Sequence, residues 1–248
     1  MISFNLQKTL IALIDCALAV YLLLAVTAFN RPEEAGNVCS EVNIHVEEGV
    51  VRGFLDADEV KTLLQKAAVY PLGTPMTQVN VRKIEETLKA NPFIEGAQCY
   101  ATQTGHVHIT VSQRLPVIRV KADNGQDYYV DADGTIMPNT HFVSDLPVAT
   151  GNIKQDYAKK VLTRIGRYLA QHSLWNNQIE QVNVLDDGSV EMVPRVGDHI
   201  VYLGRPVRLE HKLERLEKFY KYGLSKAGWN KYSYINVEFD NQIICKKR

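Results

Sequence analysis

Residues 10–29 read LIALIDCALAVYLLLAVTAF, an apolar run that constrains everything after it. At a rise of about 1.5 Å per residue, a helix of this length reaches across a bilayer core of roughly 30 Å. A cleaved signal peptide is the rival reading, because Val26-Thr27-Ala28 has the form of a small-residue cleavage site. The run is longer than the usual ~7–15-residue signal core, so an uncleaved transmembrane helix is expected. Lys8 precedes the run, and Arg31, Glu33 and Glu34 follow it. The positive-inside rule leans the N-terminus, residues 1–9, towards the cytoplasm. Everything after this single start-transfer segment is then expected outside the cytoplasm. Asp15 is the one charge inside the run. A carboxylate at the bilayer centre costs about 2.5–3.5 kcal/mol, and Asp15 sits near the inner end, where water reaches more easily. Two readings stay open for it: contact with another membrane helix, or a tolerated near-interface charge.

The full chain has the composition of a folded protein, with 46% hydrophobic and 23% charged residues. Its formal net charge of +0 removes the simplest electrostatic case for a nucleic-acid partner. No pair among Cys16, Cys39, Cys99 and Cys245 has C-x-x-C spacing. A disulfide between two of the last three is open in an oxidising compartment, with isolated buried thiols the favoured reading. There is no G-x-S-x-G, no phosphate loop and no H-E-x-x-H, and the seven histidines are scattered. No catalytic residue, cofactor or metal site is therefore expected, and the reading of the chain as non-enzymatic rests on these absences combined with a family resemblance, since catalytic groups can lie far apart in sequence. An envelope hydrolase is the remaining enzymatic hypothesis.

Residues 30–37, which include PEEAGN, read as a linker. Val42, Ile44 and Val46 alternate as in a strand. Asp56 and Glu59 have the spacing of a capping box, with Leu55 and Val60 at the staple positions. Val60, Leu63, Leu64 and Ala67 then form a helical face. The break from Pro71 to Pro75 leads to a second helix from Asn80, with Val81, Ile84 and Leu88 on one face, stopping before Pro92. Two strands follow, Ile94–Ala101 and one marked by Val107, Ile109 and Val111, so residues 38–117 read β-α-α-β-β. His106 and His108 share a strand face but lack a third metal ligand, and solvated residues are the favoured reading.

Residues 118–248 read as a second, mixed α/β unit dominated by an antiparallel sheet. Tyr128 to Ile136 is a hairpin around Asp131-Ala132-Asp133-Gly134; an EF-hand would need further oxygen ligands and a closing Glu, whereas turn chemistry suffices. Tyr157, Val161, Ile165, Tyr168 and Leu169 make a helical stripe. Strands are expected over 182–185 and 190–193, around Asp186-Asp187-Gly188, and over 200–203. Leu209, Leu213, Leu216, Tyr220 and Leu224 mark another amphipathic helix.

Several stretches resemble the FtsQ/DivIB family of cell-division proteins. Asn91-Pro92-Phe93-Ile94-Glu95-Gly96-Ala97 and Ile109-Thr110-Val111-Ser112-Gln113-Arg114-Leu115-Pro116 are similar to the entry and exit motifs of its POTRA domain. The hairpin at 128–136, Leu146-Pro147 followed by Gly151, Leu203-Gly204-Arg205 and Lys212-Leu213-Glu214-Arg215-Leu216 continue the likeness, and the end of the sequence resembles the family's terminal strand, turn and last strand, here over 234–239, Asp240-Asn241 and from Gln242. The family's terminal Arg-Tyr pair is Glu238-Phe239 here, and its turn glycine is Gln242. The resemblance implies an α+β protein with a transmembrane helix, a POTRA domain (β-α-α-β-β) and a C-terminal β domain, at the division septum. It also implies FtsL- and FtsB/DivIC-type partners and other divisome proteins. A route for binding is strand addition to an open sheet edge, expected from Gln242 to Lys246 and so including Ile243, Ile244 and Cys245, with Glu238, Phe239 and Asn241 flanking and Arg205 close by. Whether Phe239 closes the core or contacts a partner stays open, and Lys246-Lys247-Arg248 is read as a solubilising end rather than an edge guard. The runner-up is a POTRA-containing envelope chaperone or assembly factor, although there is no internal repeat and no series of alternating barrel strands.

Overall fold

The computed structural model describes residues 6–29, 38–47, 55–140 and 145–248, and the side chains of these except 6–12 and 27–29. The linker expected at 30–37 and residues 1–5 lie outside the described residues. Helix α1 runs Leu6–Phe29 and carries Asp15 with its side chain exposed. Among the described residues no helix is long and apolar enough to cross a membrane; the expected span, 10–29, falls partly outside the side chains described.

The first globular unit follows the β-α-α-β-β order. Its elements are β1 (Glu41–Glu47), α2 (Ala57–Lys66), α3 (Val81–Lys89), β2 (Ile94–Ala101) and β3 (His106–Gln113). Asp56 accepts from the Glu59 backbone N–H at 2.8 Å while the Glu59 carboxylate accepts from Asp56 N–H at 3.0 Å, so both halves of the capping box form. The sheet order is β1-β3-β2, with β1 parallel and β2 antiparallel to β3. Val60, Leu64, Ile84 and Leu88 from the helices meet Ala97, Val107, Ile109 and Val111 in one core. His106 lies 3.5 Å from Glu41, and His108 stacks on Tyr100 with ring centroids 4.9 Å apart. Among the described residues no three His, Cys, Asp or Glu side chains are grouped to hold a metal. Cys39, Cys99 and Cys245 are free thiols, and burial pushes Cys99 up to about 11.

The second unit is a nine-stranded mixed sheet. Its strands are β4 (Pro116–Ala122), β5 (Asp127–Asp131), β6 (Ile136–Pro138), β7 (Val148–Gly151), β8 (Ile179–Val184), β9 (Val190–Pro194), β10 (Ile200–Gly204), β11 (Tyr232–Asn236) and β12 (Ile244–Lys247). Their order is β12-β11-β10-β9-β8-β7-β4-β5-β6. The pairs β4–β7, β7–β8 and β10–β11 are parallel and the other five antiparallel. Two composite helices pack on one face. One joins α4 (Gln155–Tyr157), a π segment (Ala158–Leu162) and α5 (Thr163–Gln171); the other joins α7 (Leu209–Phe219), a π segment (Tyr220–Leu224) and α8 (Ser225–Ala227). Leu162, Ile165, Leu169, Leu213, Leu216 and Leu224 share a core with Val182, Val190, Val201, Leu203, Ile235 and Val237.

Strands β4 and β7 and the short helix α6 (Ser173–Gln178) were not anticipated from periodicity. Gly151 closes β7 at φ +103, where an added Cβ would meet the Val184 carbonyl oxygen at 2.1 Å, so only glycine fits this parallel crossing. The strand expected over 234–239 ends at Asn236, because its side-chain Oδ1 captures the Glu238 N–H at 2.8 Å and turns the chain away.

One residue fastens the two sheets together. Arg114, between β3 and β4, donates to Asp131 Oδ2 at 2.5 Å, to Thr135 Oγ1 at 3.2 Å and to the Ile94 carbonyl at 3.3 Å. The other Asp131 oxygen accepts from the N–H groups of Asp133 and Thr135 at 2.9 and 2.7 Å. Asp131 is 3% exposed, and its oxygens are engaged by donors rather than arranged as a calcium loop. Removing one member of a buried ion pair strands the other and costs about 3–5 kcal/mol. We therefore expect Arg114→Met to lower unfolding stability by about 3 kcal/mol in a urea titration followed by tryptophan fluorescence, with hairpin 127–138 loosened in hydrogen exchange.

The loop before β10 buries His199. Its Nε2 lies 2.8 Å from the Tyr220 hydroxyl, its Nδ1 has no partner, and Trp175 and Trp229 pack around Tyr220. Burial pushes the His199 pKa down, so the folded state favours the neutral ring. The unfolded chain takes up a proton near pH 6.5. The stability this group supplies is therefore present above that pH and is lost as the pH falls towards the depressed folded-state value. The melting temperature is expected to drop on mild acidification, and His199→Gln to flatten that part of the profile.

Candidate partner-binding edge

Where β11 ends, the backbone keeps one more bond to β10, from Val237 N–H to the Tyr202 carbonyl at 2.9 Å. Glu238 then lies across Gly204, which adopts φ +65; a Cβ there would meet Glu238 Oε1 at 2.5 Å. The chain turns through Phe239, Asp240, Asn241 and Gln242. Gln242 does not adopt positive φ, so the turn does without the glycine that the resemblance would supply.

Three residues at the start of α7 hold this turn. Arg215 donates to the Phe239 carbonyl at 2.6 Å and to the Gln242 carbonyl at 2.7 Å. Asp240 pairs with Arg208 at 2.5 Å and lies 3.8 Å from His211. Nearby, the buried Lys212 ammonium donates to the carbonyls of Leu203 and Arg205 at 2.7 and 2.8 Å, fastening α7 to the end of β10. Burial lowers the Lys212 pKa, and the carboxylate of Glu238 works in the opposite direction. None of Arg208, Lys212 or Arg215 was singled out from sequence for this task. The available signal was the spacing of Arg208, His211 and Arg215 by three and four residues.

The chain returns as β12, antiparallel to β11, with Asn236 opposite Ile244, Ile235 opposite Cys245 and Tyr234 opposite Lys246. Strand order ends on β12, and among the described residues no strand pairs with its other side. Ile244 is 48% exposed, whereas Ile243 and Cys245 pack against the core, and burial raises the Cys245 pKa. Of the residues expected at the edge, Ile244, Cys245 and Lys246 are in the strand, and Gln242 and Ile243 belong to the connection before it. Phe239 is 46% exposed and outside the core. Arg205 and Glu238 line one cleft of about 280 Å3 with Tyr202 and Lys212. Asn241, Gln242 and Ile243 line another of about 520 Å3 with Arg215, Phe219 and Tyr222. These residues thus gather around one turn and one strand, with Asp15 apart on α1. Arg248 donates to the Asp198 carboxylate and carbonyl, so it secures the end of β12 rather than serving only as a solubilising charge.

Losing Arg215 would leave two turn carbonyls to water. Arg215→Ala is expected to lower stability by about 1–3 kcal/mol and to speed amide exchange across β12, read by hydrogen-exchange mass spectrometry.

The model of the family described as FtsQ/DivIB, C-terminal related, matches residues 115–246, and that of the POTRA-like domain matches residues 37–112. The cell division protein FtsQ of Rhodothermus marinus is 24% identical over 202 residues, covering 74% of this chain and 71% of that protein.

Proposed function

Because the chain belongs to the FtsQ/DivIB C-terminal-related family, we propose that it is a non-enzymatic membrane scaffold of the bacterial division machinery which captures partner chains on the open edge of β12. In this reading α1 is a single transmembrane anchor with its N-terminus in the cytoplasm. The two globular units, bounded near residues 38–117 and 118–248, lie outside the cytoplasm at the division septum. The partners are proteins of the FtsL and FtsB/DivIC type, and Asp15 is the residue through which the anchor meets another membrane helix.

The observation that carries the reading is that, among the described residues, β12 is paired on one side only while carrying an exposed Ile244. A strand in that position offers free N–H and C=O groups, which supply affinity to any extended segment that adds to it. Arg205, Glu238, Phe239, Asn241 and Gln242 then flank the added strand, and Ile243 and Cys245 support it from the core side.

Backbone donors alternate along a strand, so of Ile244→Pro and Cys245→Pro one removes an outward N–H. Full-length protein is expected to co-purify with the FtsL- and FtsB/DivIC-type partners from detergent-solubilised membranes. At least one proline variant should lose them while tryptophan fluorescence shows an intact core. Unchanged recovery with both variants would sink strand addition at β12.

A further inference from the structure

We propose that the strand added to β12 is acidic, with neighbouring carboxylates that meet Lys246 and Lys247 beside an apolar residue that meets Ile244. This deepens the strand-addition reading and rests on it. The whole chain has a net charge of +0, yet residues 215–248 hold eight basic residues and three acidic ones. Much of that charge is already engaged within the fold. Arg215 is bound to the turn carbonyls, Asp240 is paired with Arg208, and Arg248 is paired with Asp198. The Lys231 ammonium lies over the Tyr232 ring at 5.7 Å. Lys246 and Lys247 are exposed, and among the described residues neither has a carboxylate within ion-pair distance.

Their placement decides what fits. Lys246 is opposite Tyr234 and Lys247 opposite Tyr232 on the β11 side, so both side chains project from a strand whose other margin pairs with no strand among the described residues. Consecutive residues of a strand point to opposite faces. Lys246 therefore shares a face with Ile244, and Lys247 shares the other with Cys245. A strand laid against β12 brings its own residues directly opposite these. Opposite charges in that position stabilise the pair and like charges weaken it. Two adjacent carboxylates satisfy both lysines at once, one on each face. Exposed lysines on an edge also repel a second copy of the same edge, so the feature that attracts an acidic strand discourages self-pairing.

The test uses full-length protein in detergent micelles and fluorescently labelled synthetic peptides, read by anisotropy. One peptide carries a Glu-Glu pair flanked by Val and Thr; its counterpart carries Lys-Lys in the same frame. Wild-type protein is expected to bind the Glu-Glu peptide on the order of tenfold more tightly than the Lys-Lys peptide at low salt. That preference should shrink as salt screens exposed charges. In K246E/K247E the preference should reverse, and at least one of the proline variants at residues 244 and 245 should weaken the Glu-Glu peptide. A wild-type protein without preference overturns the acidic-strand inference and leaves strand addition standing. Undiminished binding by both proline variants overturns strand addition itself and the inference with it.

Discussion

Every backbone N–H and C=O in a sheet needs a partner, and among the described residues the last strand of the large sheet meets that need from strands on one side only. Much of the surrounding structure answers to that constraint. A short edge strand is weakly held, since half of its ladder is missing. The fold compensates at both ends of β12. Arg215 grips the carbonyls just before it, and Arg248 ties the residue just after it to Asp198. Between these two fastenings Ile243 and Cys245 pack against the core. The strand is held in place without its outer margin being covered, which is the condition strand addition requires.

The same logic explains why α7 is so basic on the side that meets the turn. A turn in the connection between β11 and β12 exposes carbonyls and one carboxylate. Arg208, His211 and Arg215 approach it from a single helix face, where spacings of three and four bring side chains together. Lys212, one position on from His211, points instead into the interior and meets two carbonyls at the end of β10. A buried ammonium carries a heavy desolvation penalty unless charge and hydrogen bonds offset it. Two carbonyl acceptors and the field of Glu238 supply that offset. Glu238 is therefore part of a local balance as well as a residue at the edge.

Much of this architecture was legible beforehand, and the rest was hidden for physical reasons. The capping box at Asp56 and Glu59, the stripes Val60–Leu64 and Ile84–Leu88, and the alternation of Val107, Ile109 and Val111 each follow from one local rule, and all hold. Strand β7 failed that test because only four residues form it and its pairing is set by Gly151, a contact with β8 more than thirty residues away. The π segments were invisible because one extra residue per turn leaves the apolar stripe continuous. The end of β11 turned on a single side chain, Asn236, whose hydrogen bond to Glu238 N–H competes with the ladder. The clustering of the expected edge residues was readable through the family resemblance. The residues that hold the edge, Arg208, Lys212 and Arg215, lie on a helix whose contacts only the tertiary structure supplies.

Rigidity and exposure are usually opposed, because the contacts that hold a segment still also cover it. The two are reconciled here by direction. β12 is fixed along its length by fastenings beyond its two ends, and from beneath by Ile243 and Cys245, and none of these occupies its outer margin. The inter-sheet clamp at Arg114 and Asp131 follows the same plan, since it acts at the opposite end of the sheet order, between β3 and the β5–β6 hairpin. In the proposed reading, a partner that adds to β12 meets an edge already ordered, so little freedom of the receiving strand is lost on binding. Pre-organisation of that kind would let a four-residue strand contribute affinity out of proportion to its length.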